Sequence, residues 1–158
     1  MAATRDELYD MLNTVFAFTR LSNINQSLPR PFSNGETLYI SEIYFLHLIG
    51  SEKGRTVTEL AGATFRTLSA ASQIVTRLHR KGLVDKSASP RDRKVQRLTL
   101  TEKGRQMLDE QLAADACYYD DILSALGEFS SGDVQQVRRL IDVLTGKTLE
   151  AIQSKKQK

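Results

Sequence analysis

In 158 residues this chain has one cysteine, two histidines, three prolines and no tryptophan. A single cysteine, Cys117, excludes an intrachain disulfide and any disulfide-stapled scaffold. His47, His79 and Cys117 are scattered and cannot form a spaced ligand set, so no metal site is expected within one chain. No apolar run approaches the ~20 residues needed to span a bilayer. The opening MAATRDELYD is too polar for a secretory signal, so the expectation is a chain without membrane association, in a reducing cytoplasm. The nine glycines are dispersed, with no phosphate-cradling loop, and neither a Ser-His-Asp set nor a carboxylate pair stands out. No motif supports an enzyme, and no cofactor is implied.

What is present suits one globular domain over residues 1–158, with 41% hydrophobic and 26% charged residues. The net charge of +3 conceals a division. Residues 54–105 hold twelve Lys/Arg against four Asp/Glu, or +8, while the rest holds ten against fifteen, or −5. Such segregation is the footprint of a nucleic-acid-binding module on a more acidic scaffold, although a solvated basic face carries the same charge.

Residues 80–104, RKGLVDKSASPRDRKVQRLTLTEKG, concentrate the signal. Gly82 is placed to end a helix, because a residue without Cβ takes the left-handed conformation that closes it. Leu83 and Val84 begin a strand, and residues 96–101 return as a second one, with Leu98 and Leu100 alternating against Arg97 and Thr99. The loop between carries Arg91, Arg93 and Lys94 around one acid, Asp92, after Pro90. Three cations at a hairpin tip are ill suited to a core and well suited to phosphates.

Upstream, Thr56 with Glu59 is a capping box that opens a short helix, TVTELAGA. A break near residues 64–67 leads into LSAASQIVTRLHRK, a helix over about 68–81. Its Ala71, Ile74, Val75 and Leu78 share one face, while Ser69, Ser72, Gln73, Thr76, Arg77 and Arg80 fall elsewhere. Short polar side chains allow close approach and Gln and Arg reach further, as a helix in a major groove requires; a solvent-facing surface accounts equally well for this helix alone. Thr4 with Glu7 caps a first helix over about 5–28, closed by Leu28-Pro29-Arg30-Pro31 and a loop through Ser33-Asn34-Gly35. A second, over about 39–51, is apolar around much of its circumference and should be buried on more than one side. Thr101 and the Ser130/Asp133 pair cap two long amphipathic helices, about 102–128 and 131–153. Helices from both chain ends need an apolar partner, and a second copy of the chain is the simplest one.

Helix, break, helix and a two-stranded hairpin with a basic tip make a winged helix-turn-helix, in a mainly α (α+β) chain. With TVTELA, TRLHRKGLV, SPRDRK and LTLTEKG in that order, the sequence resembles the MarR family of bacterial transcription regulators over essentially its whole length. The resemblance implies a winged helix-turn-helix module over residues 54–105, N- and C-terminal dimerisation helices over 5–28 and 102–153, and a homodimer on a pseudo-palindromic duplex. It places Thr67, Ser69, Ser72, Gln73, Thr76 and Arg77 at the DNA. Gln73 would read adenine bidentately, and Arg77 and the hydroxyls would hold phosphates. Arg93, with Arg91 and Lys94 beside it, would enter the minor groove, and Asp92 would orient the wing arginines. Two positions depart from the pattern. Phe65 stands where many relatives have a turn glycine, and Lys94 replaces the commoner second wing arginine.

The resemblance also implies a repressor released by a small aromatic or phenolic effector. Phe16, Arg20, Tyr39, Tyr44 and His47 are candidates to line its site, with plain packing as the alternative. Two other functions compete. One is a winged-helix module docking on an acidic protein. The other is a thiol-based redox sensor through Cys117, disfavoured because Asp115, Asp120 and Asp121 oppose thiolate formation and the sensing branch carries its cysteine near the N-terminus.

Overall fold

A computed structural model describes residues 3–51, 54–88 and 96–156. It has two compact units, Met1–Ala113 and Ala114–Lys158. The elements run α1 (Arg5–Ser27), β1 (Pro29–Pro31), β2 (Thr37–Tyr39), α2 (Ile40–Ser51), α3 (Val57–Ala63), α4 (Leu68–Arg80), β3 (Val84–Ala88), β4 (Gln96–Leu100), α5 (Glu102–Ala125) and α6 (Ser131–Lys156). Their ends follow local chemistry. Thr4 and Thr56 form full capping boxes with Glu7 and Glu59. Ser130 and Asp133 exchange the equivalent bonds ahead of α6. Gly82 closes α4 at φ 71°.

Residues 29–39 differ from expectation. The two prolines and Ser33-Asn34-Gly35 predict a loop; instead β1 and β2 pair antiparallel, with Arg30 opposite Leu38. Pro29 and Pro31 donate no hydrogen bond, which a two-stranded ribbon tolerates because each strand has a free edge. Gly35, at φ 80°, turns the ribbon, and Leu38 anchors it with no exposed surface.

The core of the first unit gathers Leu38, Ile43, Phe45, Leu46 and Ile49 with Leu60, Ala71, Ile74, Val75 and Leu78, then Leu83, Val84, Leu98, Leu100 and Met107. α2 is its centre, buried on several sides as its circumference predicts. Each fully buried aliphatic contributes about 1.5–3 kcal/mol. This core therefore fixes α3, α4 and the β3–β4 hairpin to one another. α1 buries no residue, and Phe16, Phe18, Leu21 and Ile24 are exposed in the single chain. In the second unit Ile122, Leu123, Val134, Val137, Leu140 and Ile141 are likewise exposed.

α5 begins where β4 turns back over the end of α4. Thr101 donates to Gly82 O from its hydroxyl, which also accepts from Gly104 N at 3.0 Å. The helix start lies so close to β3 that a Cβ at Gly104 would run into the carbonyl oxygen of Leu83.

Candidate nucleic-acid interface

The turn between α3 and α4 holds Phe65 at φ 52°, the left-handed conformation that glycine adopts freely. Thr64 Oγ1 bonds Leu60 O, and Arg66 N bonds Ala61 O at 3.0 Å, so the turn is tied back to α3 despite the larger residue. Thr67 then caps α4, its hydroxyl oxygen accepting from Ala70 N at 3.2 Å. Ala71, Ile74, Val75 and Leu78 face the core.

The opposite face is polar. Ser72, Gln73, Thr76, Arg77 and Arg80 line an open groove of about 340 Å³. Four of the predicted DNA-contacting residues are thus brought together, and Thr67 and Ser69 stand exposed at the start of the same helix. Thr76 donates its hydroxyl to Ser72 O at 2.8 Å, so its proton is committed to the helix and its oxygen remains as an acceptor. Arg80 joins the groove although sequence reasoning did not place it at the DNA. Its spacing from Gln73, Thr76 and Arg77 at steps of three and four was the available signal.

Glu42 was missed as well. It lies on α2 with no exposed surface and accepts from Arg77 Nε at 3.2 Å, Lys81 Nζ at 3.2 Å and the Tyr39 amide at 3.0 Å. Lys81 Nζ also donates to Thr37 O, and Lys103 Nζ bridges Glu36 and Lys81 O. The Lys103 ammonium, as hydrogen-bond donor, holds the Glu36 carboxyl below its ordinary range. A buried carboxylate is tolerated because cations and an amide satisfy it. No local pattern announces it, since its cations follow 35 and 39 residues later in the chain.

β3 and β4 pair antiparallel from Val84 opposite Leu100 to Ala88 opposite Gln96. Leu98 and Leu100 are buried and Thr99 is exposed, as the alternation predicts. Arg55 bridges to Leu98 on the other edge of β4, and Arg97 Nη1 bonds Gly54 O at 2.6 Å. His79, exposed at the end of α4, donates from Nδ1 to Val84 O, because a carbonyl can only accept. Arg91, Asp92, Arg93 and Lys94 lie outside the described residues. The effector candidates Phe16, Arg20, Tyr39, Tyr44 and His47 are all exposed, as is the free thiol of Cys117 in the second unit. Among the described residues no helix is long and apolar enough to cross a membrane.

A helix-turn-helix followed by an antiparallel hairpin, with the polar face of the second helix open, defines a winged-helix DNA-binding fold. Residues 38–94 match the model of the MarR family, whose members are transcriptional regulators and not enzymes. It is 29% identical over 116 residues to the HTH-type transcriptional regulator BilQ of Clostridium symbiosum, covering 73% of this chain and 78% of that one. The crystal structure of the transcriptional regulator BldR from Sulfolobus solfataricus superposes with a TM-score of 0.66 at 27% identity, covering 91% of this chain and 99% of that one. Streptococcus pneumoniae FabT, solved in complex with DNA, has the same fold with a TM-score of 0.66 at 21% identity, covering 94% and 99%.

Proposed function

We propose that this protein is a homodimeric, sequence-specific double-stranded DNA-binding repressor that acts in the cytoplasm on a pseudo-palindromic operator and is released by a small aromatic or phenolic molecule. The observation that carries the reading is the groove on α4, where Ser72, Gln73, Thr76, Arg77 and Arg80 stand together, away from the core. Gln73 offers one acceptor and two donors to the edge of adenine, while Arg77, Arg80 and the hydroxyls of Thr67, Ser69, Ser72 and Thr76 serve phosphates. On the same reading Arg93 would serve the adjacent minor groove, with Arg91 and Lys94 at the DNA beside it and Asp92 orienting the wing arginines.

The dimer is supported by the exposed apolar side chains of α1, α5 and α6 and by the family, whose members bind DNA as dimers. FabT bound to DNA is consistent with the same use of the fold. Phe16, Arg20, Tyr39, Tyr44 and His47 offer aromatic faces and polar tips to an effector. Binding that favours a dimer geometry in which the two α4 helices miss successive major grooves would release the operator by population shift.

Selection of bound duplexes from a random pool tests the reading. Enrichment of an inverted repeat with half-site centres about 10–10.5 bp apart is expected. A pool that stays unenriched, with binding insensitive to sequence, would overturn it. On the selected site Arg93→Ala is expected to weaken binding while light scattering still reports a dimer.

A further inference from the structure

We propose that Glu42 is a positioning residue for DNA recognition: it fixes the guanidinium of Arg77 and thereby raises the preference for operator over other DNA. The proposal rests on α4 being the DNA-facing helix.

Three observations carry it. The Glu42 side chain is 1% exposed, and its two carboxylate oxygens are divided between partners: Oε1 takes Arg77 Nε, and Oε2 takes Lys81 Nζ and the Tyr39 amide. Arg77 is bonded through Nε, so that contact uses one of five donors and leaves both terminal nitrogens for a second partner. The Arg77 side chain is 46% exposed and lines the α4 groove beside Gln73. One end of a flexible side chain is thus held from the core while the other end faces outward.

A stability role alone explains this poorly. Apolar residues of similar volume often replace a buried ion pair without loss, so a carboxylate in this position contributes geometry more than stability. A guanidinium held at Nε surrenders less freedom when its terminal nitrogens meet the phosphates that set the register of α4 on the operator, a register that random duplex does not require. The acid also offsets positive charge under the groove, which restrains attraction to any phosphate regardless of sequence.

Positioning strengthens binding to the operator alone while the charge offset weakens binding to every duplex, and this difference makes the role testable. With the full-length protein, Glu42→Gln is expected to weaken binding to the selected operator roughly tenfold. Binding to random duplex should be unchanged or tighter, so the operator-to-random ratio falls. A merely structural defect would weaken both in step with thermal stability, and that outcome overturns the proposal. In an Arg77→Ala background, Glu42→Gln should cause no further loss on the operator; additive losses would place its effect elsewhere. Arg77→Lys keeps the charge without the planar fork and is expected to copy the Glu42→Gln pattern. A wild-type operator-to-random ratio in Arg77→Lys overturns the proposal even if Glu42→Gln does not fold. If the wild-type protein itself prefers no duplex, the reading of α4 fails rather than the role of Glu42.

Discussion

Two kinds of side chain share the outer face of α4, and they should fail differently when removed. On the proposed reading Gln73 would distinguish bases, because its amide matches the donor and acceptor edge of adenine, whereas Arg80 would neutralise phosphate. Gln73→Ala is therefore expected to relax preference at one base pair of each half-site by about 1–3 kcal/mol. Arg80→Ala should weaken all duplexes alike and reduce the salt slope of binding by about one unit. Competition assays with single-base operator variants at several salt concentrations separate the two. Much of this face was readable from the sequence, since Ser72, Gln73, Thr76 and Arg77 recur at helical steps on the side opposite Ile74 and Leu78. Arg80 shares that spacing and is legible on the same polar face, although the family resemblance places no DNA contact there. Glu42 was not readable, because a carboxylate in an apolar helix gives no sign of cations that only the fold brings to it.

At the level of elements, helix boundaries were the most legible feature, because Thr4, Thr56, Ser130 and Gly82 act within a few residues of themselves. The β1–β2 ribbon was not: three-residue strands containing two prolines resemble a loop until Leu38 finds the core. Hydrogen bonds from the capping residues lower the pKa of Glu7, Glu59 and Asp133, the backbone amide of Thr56 being the leading cause for Glu59. A lowered carboxylate stabilises the fold fully above its unfolded value and loses that contribution as pH falls through its folded value. Denaturation midpoints should hold steady above the ordinary glutamate value of 4.5 and decline below it. Glu59→Gln keeps the cap geometry but cannot titrate, so its midpoint is expected to fall less steeply with acid. Gly104→Ala tests the start of α5. Crowding against the Leu83 carbonyl should cost about 1–3 kcal/mol, read as a lower urea midpoint at an unchanged slope.

For the whole molecule, α1 and α6 carry apolar side chains that one chain leaves in water, including Phe18, Ile24, Val137 and Leu140. If a second copy covers them, folding and association are linked, and the thermal midpoint should rise with protein concentration. Leu140→Asp is expected to shift light-scattering mass toward the monomer and to abolish tight operator binding, because each half-site would then be held alone. A different consequence follows from the ties around the ribbon. Glu110 on α5 accepts from the amide and hydroxyl of Ser33, Lys103 on α5 grips Glu36, β2 runs directly into α2, and Glu42 on α2 holds α4. The first three turns of α5, the ribbon, α2 and α4 are thus tied in series. If these ties hold, a torque applied at the start of α5 would be passed on to α4 and would leave the shape of its groove unchanged. Control of binding by this molecule would then be a matter of where the reading face points, with its shape carried along unchanged.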